Sequence, residues 1–336
     1  MKTLANISNI ERALYELAKT DPKAQEYFFT YYSQKLILLN HFYPHVEGIL
    51  KGYTDHGPDH IHRILNIHEK FLKKSIPFLS DADVVKDNSL NLYELYLLLC
   101  ASLWHDVGNL LGRDQHNDKV VDIANRLENN FFIDEYMKKY TLQIAQAHTG
   151  DDAVRKKIPV EDADYRNEEI NLRFLGATLR LADELDEGEV RVDEHYYIAM
   201  KDQIDPKNRI HWETPCCIKR IEPKADDCSI EIHAQVKSAD LYKMFPKNGR
   251  EVALIDELIF RIDKMNKERI YYMQFVRKHV EYTKIVFDLT VENSKPLLHT
   301  FKFTNDQGYF DFWKEYPQIN PQIHVPTYTL QMTEVK

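Results

Sequence analysis

The chain has 336 residues, 43% hydrophobic and 29% charged, with only 10 glycines and 13 prolines. That is ample apolar material for one large core or two, and the composition excludes a generally disordered chain. The net charge of −9 argues against a protein that coats nucleic acid nonspecifically, while leaving room for a small basic pocket for phosphates.

Taken in chain order, the first two thirds reads as helical. Ser8 and Glu11 form a Ser-x-x-Glu capping box ahead of Ile10, Leu14 and Leu17. A second helix follows Asp21-Pro22 and carries Phe28, Phe29, Tyr32, Leu36 and Leu39. A third runs from Pro58 to about Lys74, since proline suits a first helical turn. Leu90 to Asp106 is apolar enough for a central helix, and further helices are expected at Lys119–Leu127, Glu135–Ala147 and Glu169–Leu185. The charged stretch Asp151–Asn167 reads as a loop. After about residue 200 the texture changes. Pro206, Pro215 and Pro223 punctuate short segments, and Cys228–Val236 and Ile285–Val291 alternate apolar with polar residues as half-buried strands do. Between them Val252–Met273 has helical spacing. The expected division is a helical domain over 1–200 and an α+β region over 201–336. The tail bearing Pro317, Pro321 and Pro326 is expected to be irregular.

No segment is apolar over the length a bilayer demands, and Met1–Ile7 lacks the apolar core of a secretion signal, so a cytoplasmic protein with no membrane role is expected. The four cysteines Cys100, Cys216, Cys217 and Cys228 form no Cys-x-x-Cys knuckle and are expected to be buried or inert thiols.

Chemistry concentrates in four places: His56-Gly57-Pro58-Asp59-His60, Trp104-His105-Asp106-Val107-Gly108, His148-Thr149-Gly150 and Leu181-Ala182-Asp183-Glu184-Leu185-Asp186. Imidazoles and carboxylates on apolar helical stretches need a reason to converge, and a bound cation supplies one. Each piece has a plainer reading. His105 could answer a helix dipole, Asp183 pair with Arg180, His148 cap a helix and His116 lie in a solvated loop. Asp186 could join an exposed acidic turn with Glu184, Glu187 and Glu189.

Taken together, residues 50–190 resemble the HD-domain metal-dependent phosphohydrolases, whose hallmark is a His, a later His-Asp pair and a final Asp. The Thr54-Asp55-His56-Gly57 lead-in is most similar to HD domains of bacterial conflict and signalling systems. The resemblance implies a mainly α fold, an HD-type helical bundle with a smaller C-terminal α+β appendage. It assigns His60, His105, Asp106 and Asp183 as metal ligands. It leaves His116 and His148 as acid, phosphate contact or second-metal ligand, and Asp186 as a group that orients a ligand histidine or binds substrate. His56 is expected near substrate, and Arg63, Arg113 and Arg180 as phosphate clamps. The ligand set suits Mn, Fe, Zn or Ni, with Mg acting beside phosphates, and the sequence does not choose among them. The implied chemistry is attack on phosphorus by a metal-activated water. A nucleotide is the expected substrate, with a (d)NTP favoured. A phosphodiesterase for cyclic or signalling nucleotides or nucleic acid, and a silent nucleotide sensor, are the alternatives. A homo-oligomer is expected by the same analogy. Two departures stand out. No histidine occurs between His148 and Asp183, and Asn109 stands where dNTP triphosphohydrolases often carry another histidine, so a second metal site is in question.

Overall fold

The structure is a computed structural model describing residues 7–19, 22–50, 54–76, 89–127, 131–192, 194–247, 249–277, 281–292, 297–304 and 333–334. The chain forms two compact units. One draws its described residues from 1–51, 55–186 and 271–281, the other from 52–54, 187–270 and 282–336.

The first unit is helical and follows from its sequence signals. The Ser8–Glu11 box opens α1 (Asn9–Ala18). α2 (Pro22–Ile37) continues through a wider π turn at Leu38–Phe42 into α3 (Tyr43–Ile49). Pro58 starts α4 (Pro58–Phe71). α5 (Leu92–Trp104) starts from a second reciprocal box, in which Asn91 accepts from the Tyr93 and Glu94 amides while Glu94 accepts from the Asn91 amide. Every residue from Leu95 to Trp104 is buried, so α5 is the axis of this unit, packed by α1, α2 and α4 and by two later helices, α7 (Glu135–Gln146) and α9 (Leu172–Leu185). α6 (His116–Ala124) follows a 3₁₀ turn at Val107–Leu111.

Asp151–Asn167 is more structured than its charge suggested. It holds α8 (Ala153–Lys157) and β1 (Asp162–Tyr165), and β1 pairs in a tight hairpin with β2 (Glu168–Asn171). Arg166 and Asn167 take the positive φ angles that such a turn requires. The helix expected from Glu169 therefore begins at Leu172, where Asn171 caps it.

The second unit holds α10 (Glu194–Met200), α11 (Pro206–Cys217) and a five-stranded sheet. The segment expected to break at Pro206 and Pro215 is one helix: Pro206 sits in its first turn and Pro215 near its last. The sheet runs β3 (Ile218–Lys224), β4 (Ser229–Lys237), β7 (Lys284–Glu292), β8 (Leu297–Thr304), β9 (Thr333–Glu334). Pro223 is tolerated because β3 is an edge strand. β4 and β7 are parallel, with Ile230 opposite Ile285 and Ile232 opposite Phe287, so their link must cross over. It does so through the hairpin β5 (Met244–Lys247)–β6 (Arg250–Ala253) and then α12 (Leu254–Met273), whose last residues are counted in the first unit. The fold is mainly α with a smaller C-terminal α+β part. The proline-bearing tail lies outside the described residues. Cys100 and Cys217 are buried and Cys216 and Cys228 half-buried; burial pushes the Cys217 thiol up to about 12.

Candidate metal centre

Five helix ends and one turn converge in the first unit. Gly57 precedes α4, so His56 lies in the turn before the helix, while His60 lies in its first turn and is fully buried. His105 and Asp106 end α5, the most buried helix, and cannot leave the core. His116 is the first residue of α6, and His148 follows the end of α7. Asp183 and Asp186 lie at the C-terminal end of α9.

The imidazoles share one arrangement. His105 Nδ1 lies 2.9 Å from the Ser102 carbonyl, His116 Nδ1 3.1 Å from that of Arg113 and His148 Nδ1 2.6 Å from that of Ala145. His60 Nδ1 lies 2.6 Å from Asp186 Oδ2. A carbonyl only accepts, so Nδ1 is the protonated nitrogen in His105, His116 and His148. Asp186 plays the same part for His60, because the Arg63 guanidinium donates to both of its oxygens. Each Nε2 is then the unprotonated nitrogen of its ring.

Those nitrogens face one another. His60 Nε2 is 3.1 Å from His105 Nε2, and His116 Nε2 is 3.0 Å from His148 Nε2. Asp106 stands between the pairs. Its Oδ2 lies 3.8 Å from His60 Nε2 and 3.7 Å from His105 Nε2. Its Oδ1 lies 3.2 Å from His116 Nε2 and 3.9 Å from His148 Nε2. Asp183 Oδ1 closes the first group, 3.4 Å from His60 Nε2 and 3.8 Å from His105 Nε2. Two buried triads result, His60–His105–Asp106 and Asp106–His116–His148, each with its candidate ligand atoms within 4.8 Å of one another.

Burial pushes the His105 imidazole down, and burial with His105 alongside pushes His148 down to about 3, so both are neutral near pH 7. Burial opposes charge on Asp106, but the imidazoles around it, His105 foremost, outweigh burial and hold its carboxyl well below the usual range. Neutral imidazoles around carboxylates are the donor set of a borderline divalent cation. Nε2 atoms facing one another beside a shared carboxylate also suit a cation, and on both counts the residues fit one.

The remaining residues singled out from the sequence divide by location. The His56 ring lies 5.8 Å from that of His60 and is 8% exposed. Arg113 reaches the edge of the cluster, 3.9 Å from Asp106 Oδ1 and 44% exposed. Arg63 is committed to Asp186 and Asp55. Arg180 donates to the Gly150 carbonyl at 2.6 Å and lies over the Tyr271 ring. Asp186 is 2% exposed, a buried partner of His60 and not part of an exposed turn.

Sequence reasoning missed three supports. Asn109 donates to Asp106 Oδ1 at 2.8 Å and to the Asp106 carbonyl at 3.0 Å. Tyr43 donates to the Leu103 carbonyl at 3.0 Å, a group left open at the end of α5. Asp55 holds the outer side of Arg63. Only Asn109 left a usable trace, a polar residue three positions beyond Asp106 in an otherwise apolar stretch.

The profile of the HD-CE family matches residues 50–259, a span that contains every residue of the cluster. No curated protein and no solved structure matches the chain.

Proposed function

The chain belongs to the HD-CE family, and from that premise we propose that it is a metal-dependent phosphohydrolase acting on a nucleotide, with a (d)NTP the favoured substrate. The observation that carries the reading is the convergence on Asp106 of four imidazole Nε2 atoms whose Nδ1 protons are committed elsewhere.

His60, His105, Asp106 and Asp183 would hold a first divalent ion, and Asp106, His116 and His148 a second. Asp106 would serve both, since its two oxygens face opposite pairs. Bound there, the ions supply an activated water and neutralise charge developing on a phosphoryl group. The protein's own part is orientation. Asn109 fixes the Asp106 carboxylate, Asp186 fixes the His60 ring, and the backbone carbonyls fix the other three rings. Arg113, partly exposed beside Asp106, meets the phosphate, and His56 borders the substrate position. His116 and His148 act as ligands in this reading, since their free nitrogens face each other and Asp106.

Elemental analysis of freshly purified protein, followed by a metal-supplemented panel of dNTPs, NTPs, cyclic dinucleotides and single-stranded DNA, tests the proposal. The wild type is expected to carry divalent metal and release triphosphate, or monophosphate and pyrophosphate, from a (d)NTP. The Asp106→Ala variant is expected to be folded, metal-free and inactive. Linear nucleotides or DNA fragments would reassign the substrate to a phosphodiester, and tight nucleotide binding without product would make the chain a sensor. An active, metal-free Asp106→Ala protein refutes the centre.

A further inference from the structure

We infer that Arg63 is a positioning residue that links the metal centre to the turn at its edge, so that ordering of the His60 ligand and ordering of the Asp55–Gly57 turn are coupled. The inference rests on reading His60–His105–Asp106 as a metal site.

Arg63 lies three residues after His60 on α4. Its guanidinium is shared between two carboxylates. Nε and Nη2 donate to Asp186 Oδ1 and Oδ2 at 2.8 and 3.0 Å, the fork-on-fork geometry available to arginine and not to lysine. Nη1 donates to Asp55 Oδ2 at 2.8 Å. Each carboxylate then passes the constraint on. Asp186 Oδ2 accepts from His60 Nδ1 at 2.6 Å, and Asp55 Oδ1 accepts from the Gly57 amide at 2.6 Å. A continuous run of hydrogen bonds therefore joins the Gly57 amide, Asp55, Arg63, Asp186 and the His60 ring.

Every link is charge-assisted or short, and Asp186 is buried at 2% exposure, so the run has little freedom to break without leaving a buried carboxylate uncompensated. His56 sits inside the closed turn, between Asp55 and Gly57. A cation at His60 Nε2 would fix the ring, which fixes Asp186 and so Arg63, whose outer Nη1 then holds Asp55 in one place. The effect is reciprocal by linkage: whatever orders the turn also favours metal binding.

Two measurements on the full chain test this without relying on turnover. Cobalt(II) titration followed by its visible absorption reports affinity and ligand geometry, and hydrogen exchange of the Gly57 amide with and without cobalt(II) reports the turn. In the wild type, cobalt(II) is expected to slow Gly57 exchange. Arg63→Met is expected to bind cobalt(II) about 10–100-fold more weakly, the usual cost of losing an outer-shell partner, and to lose the cobalt-dependent protection. Arg63→Lys keeps the charge without the fork. It is expected to fold, show an altered cobalt(II) spectrum and lose the protection, and it decides the question should Arg63→Met fail to fold. Wild-type affinity, spectrum and protection in Arg63→Lys overturn the inference, as does a wild type that binds cobalt(II) with no change at Gly57. A wild type that binds no cobalt(II) refutes the metal reading itself, and the inference falls with it.

Discussion

Gly108 offers the sharpest test of how the second triad is built. A Cβ placed there would lie 1.8 Å from the His116 backbone oxygen, 2.8 Å from its carbonyl carbon and 2.9 Å from the Val120 nitrogen. All three are backbone atoms of α6, so no side-chain rotation relieves the clash. Restoring an ordinary contact of about 3.4 Å needs a displacement of roughly 1.6 Å between the 3₁₀ turn and the start of α6. Overpacking of this kind costs about 1–3 kcal/mol, which a chain of this size can survive. The site is less tolerant. His116 Nε2 lies 3.2 Å from Asp106 Oδ1 and 3.0 Å from His148 Nε2, whereas metal–ligand distances tolerate about 0.2 Å. Gly108→Ala is therefore expected to stay folded by circular dichroism. It should lose the ion held by Asp106, His116 and His148 in elemental analysis, and hydrolyse at least about 100-fold more slowly, the cost of a misplacement near 1 Å. Wild-type metal content and rate in folded Gly108→Ala protein would refute the argument that α6 is seated directly on that glycine.

Two further outcomes follow from buried groups. Asn109→Leu removes the donor to Asp106 Oδ1 and is expected to weaken metal binding about 10–100-fold by equilibrium dialysis, with a smaller change in thermal midpoint; unchanged affinity would reduce Asn109 to a packing residue. His68 is fully buried, its Nε2 donates to Ser102 Oγ at 3.0 Å, and its Nδ1 has no hydrogen-bond partner among the described residues. Burial, with His105 nearby, pushes its imidazole from 6.5 down to about 3. The unfolded chain therefore binds this proton first. The contribution is whole above about pH 6.5 and is lost toward pH 3, at about 1.4 kcal/mol per pH unit. Urea unfolding of metal-free His68→Gln protein should show a shallower loss of stability between those limits, and a slope equal to that of the wild type would contradict the assignment.

Much of the frame was legible because its signals are local. The Ser8–Glu11 box, Pro58 at the head of α4, the apolar run of α5 and the alternation of β4 and β7 each fix an element within a few residues. The β1–β2 hairpin was not, because its turn is made by Arg166 and Asn167 at positive φ and lacks the glycine that usually marks such a turn. α11 was obscured by Pro215, whose effect on a helix depends on its distance from the helix end. At the candidate site, residue types and order pointed to the cluster, but partners did not follow from spacing. Arg63 resembled a phosphate clamp, and only the fold reveals that Asp186, 123 residues away, occupies its fork.

The cluster has one serious rival to a cation, a proton shared within each histidine pair. In the His116–His148 pair the backbone weighs against the proton. For Nε2 of His116 to donate to Nε2 of His148, one ring would have to surrender its Nδ1 proton, setting a lone pair against the Arg113 or Ala145 carbonyl at 3.1 or 2.6 Å. The other route is a full imidazolium in the pair, and burial that drives His148 down to about 3 opposes it. For His105 the Ser102 carbonyl imposes the same choice. A divalent ion in each group, as proposed, would engage the Nε2 atoms without moving a proton, and would offset the charge on Asp106 that burial penalises. Helix ends that hold Nδ1 in place therefore favour the proposed cation over a shared proton.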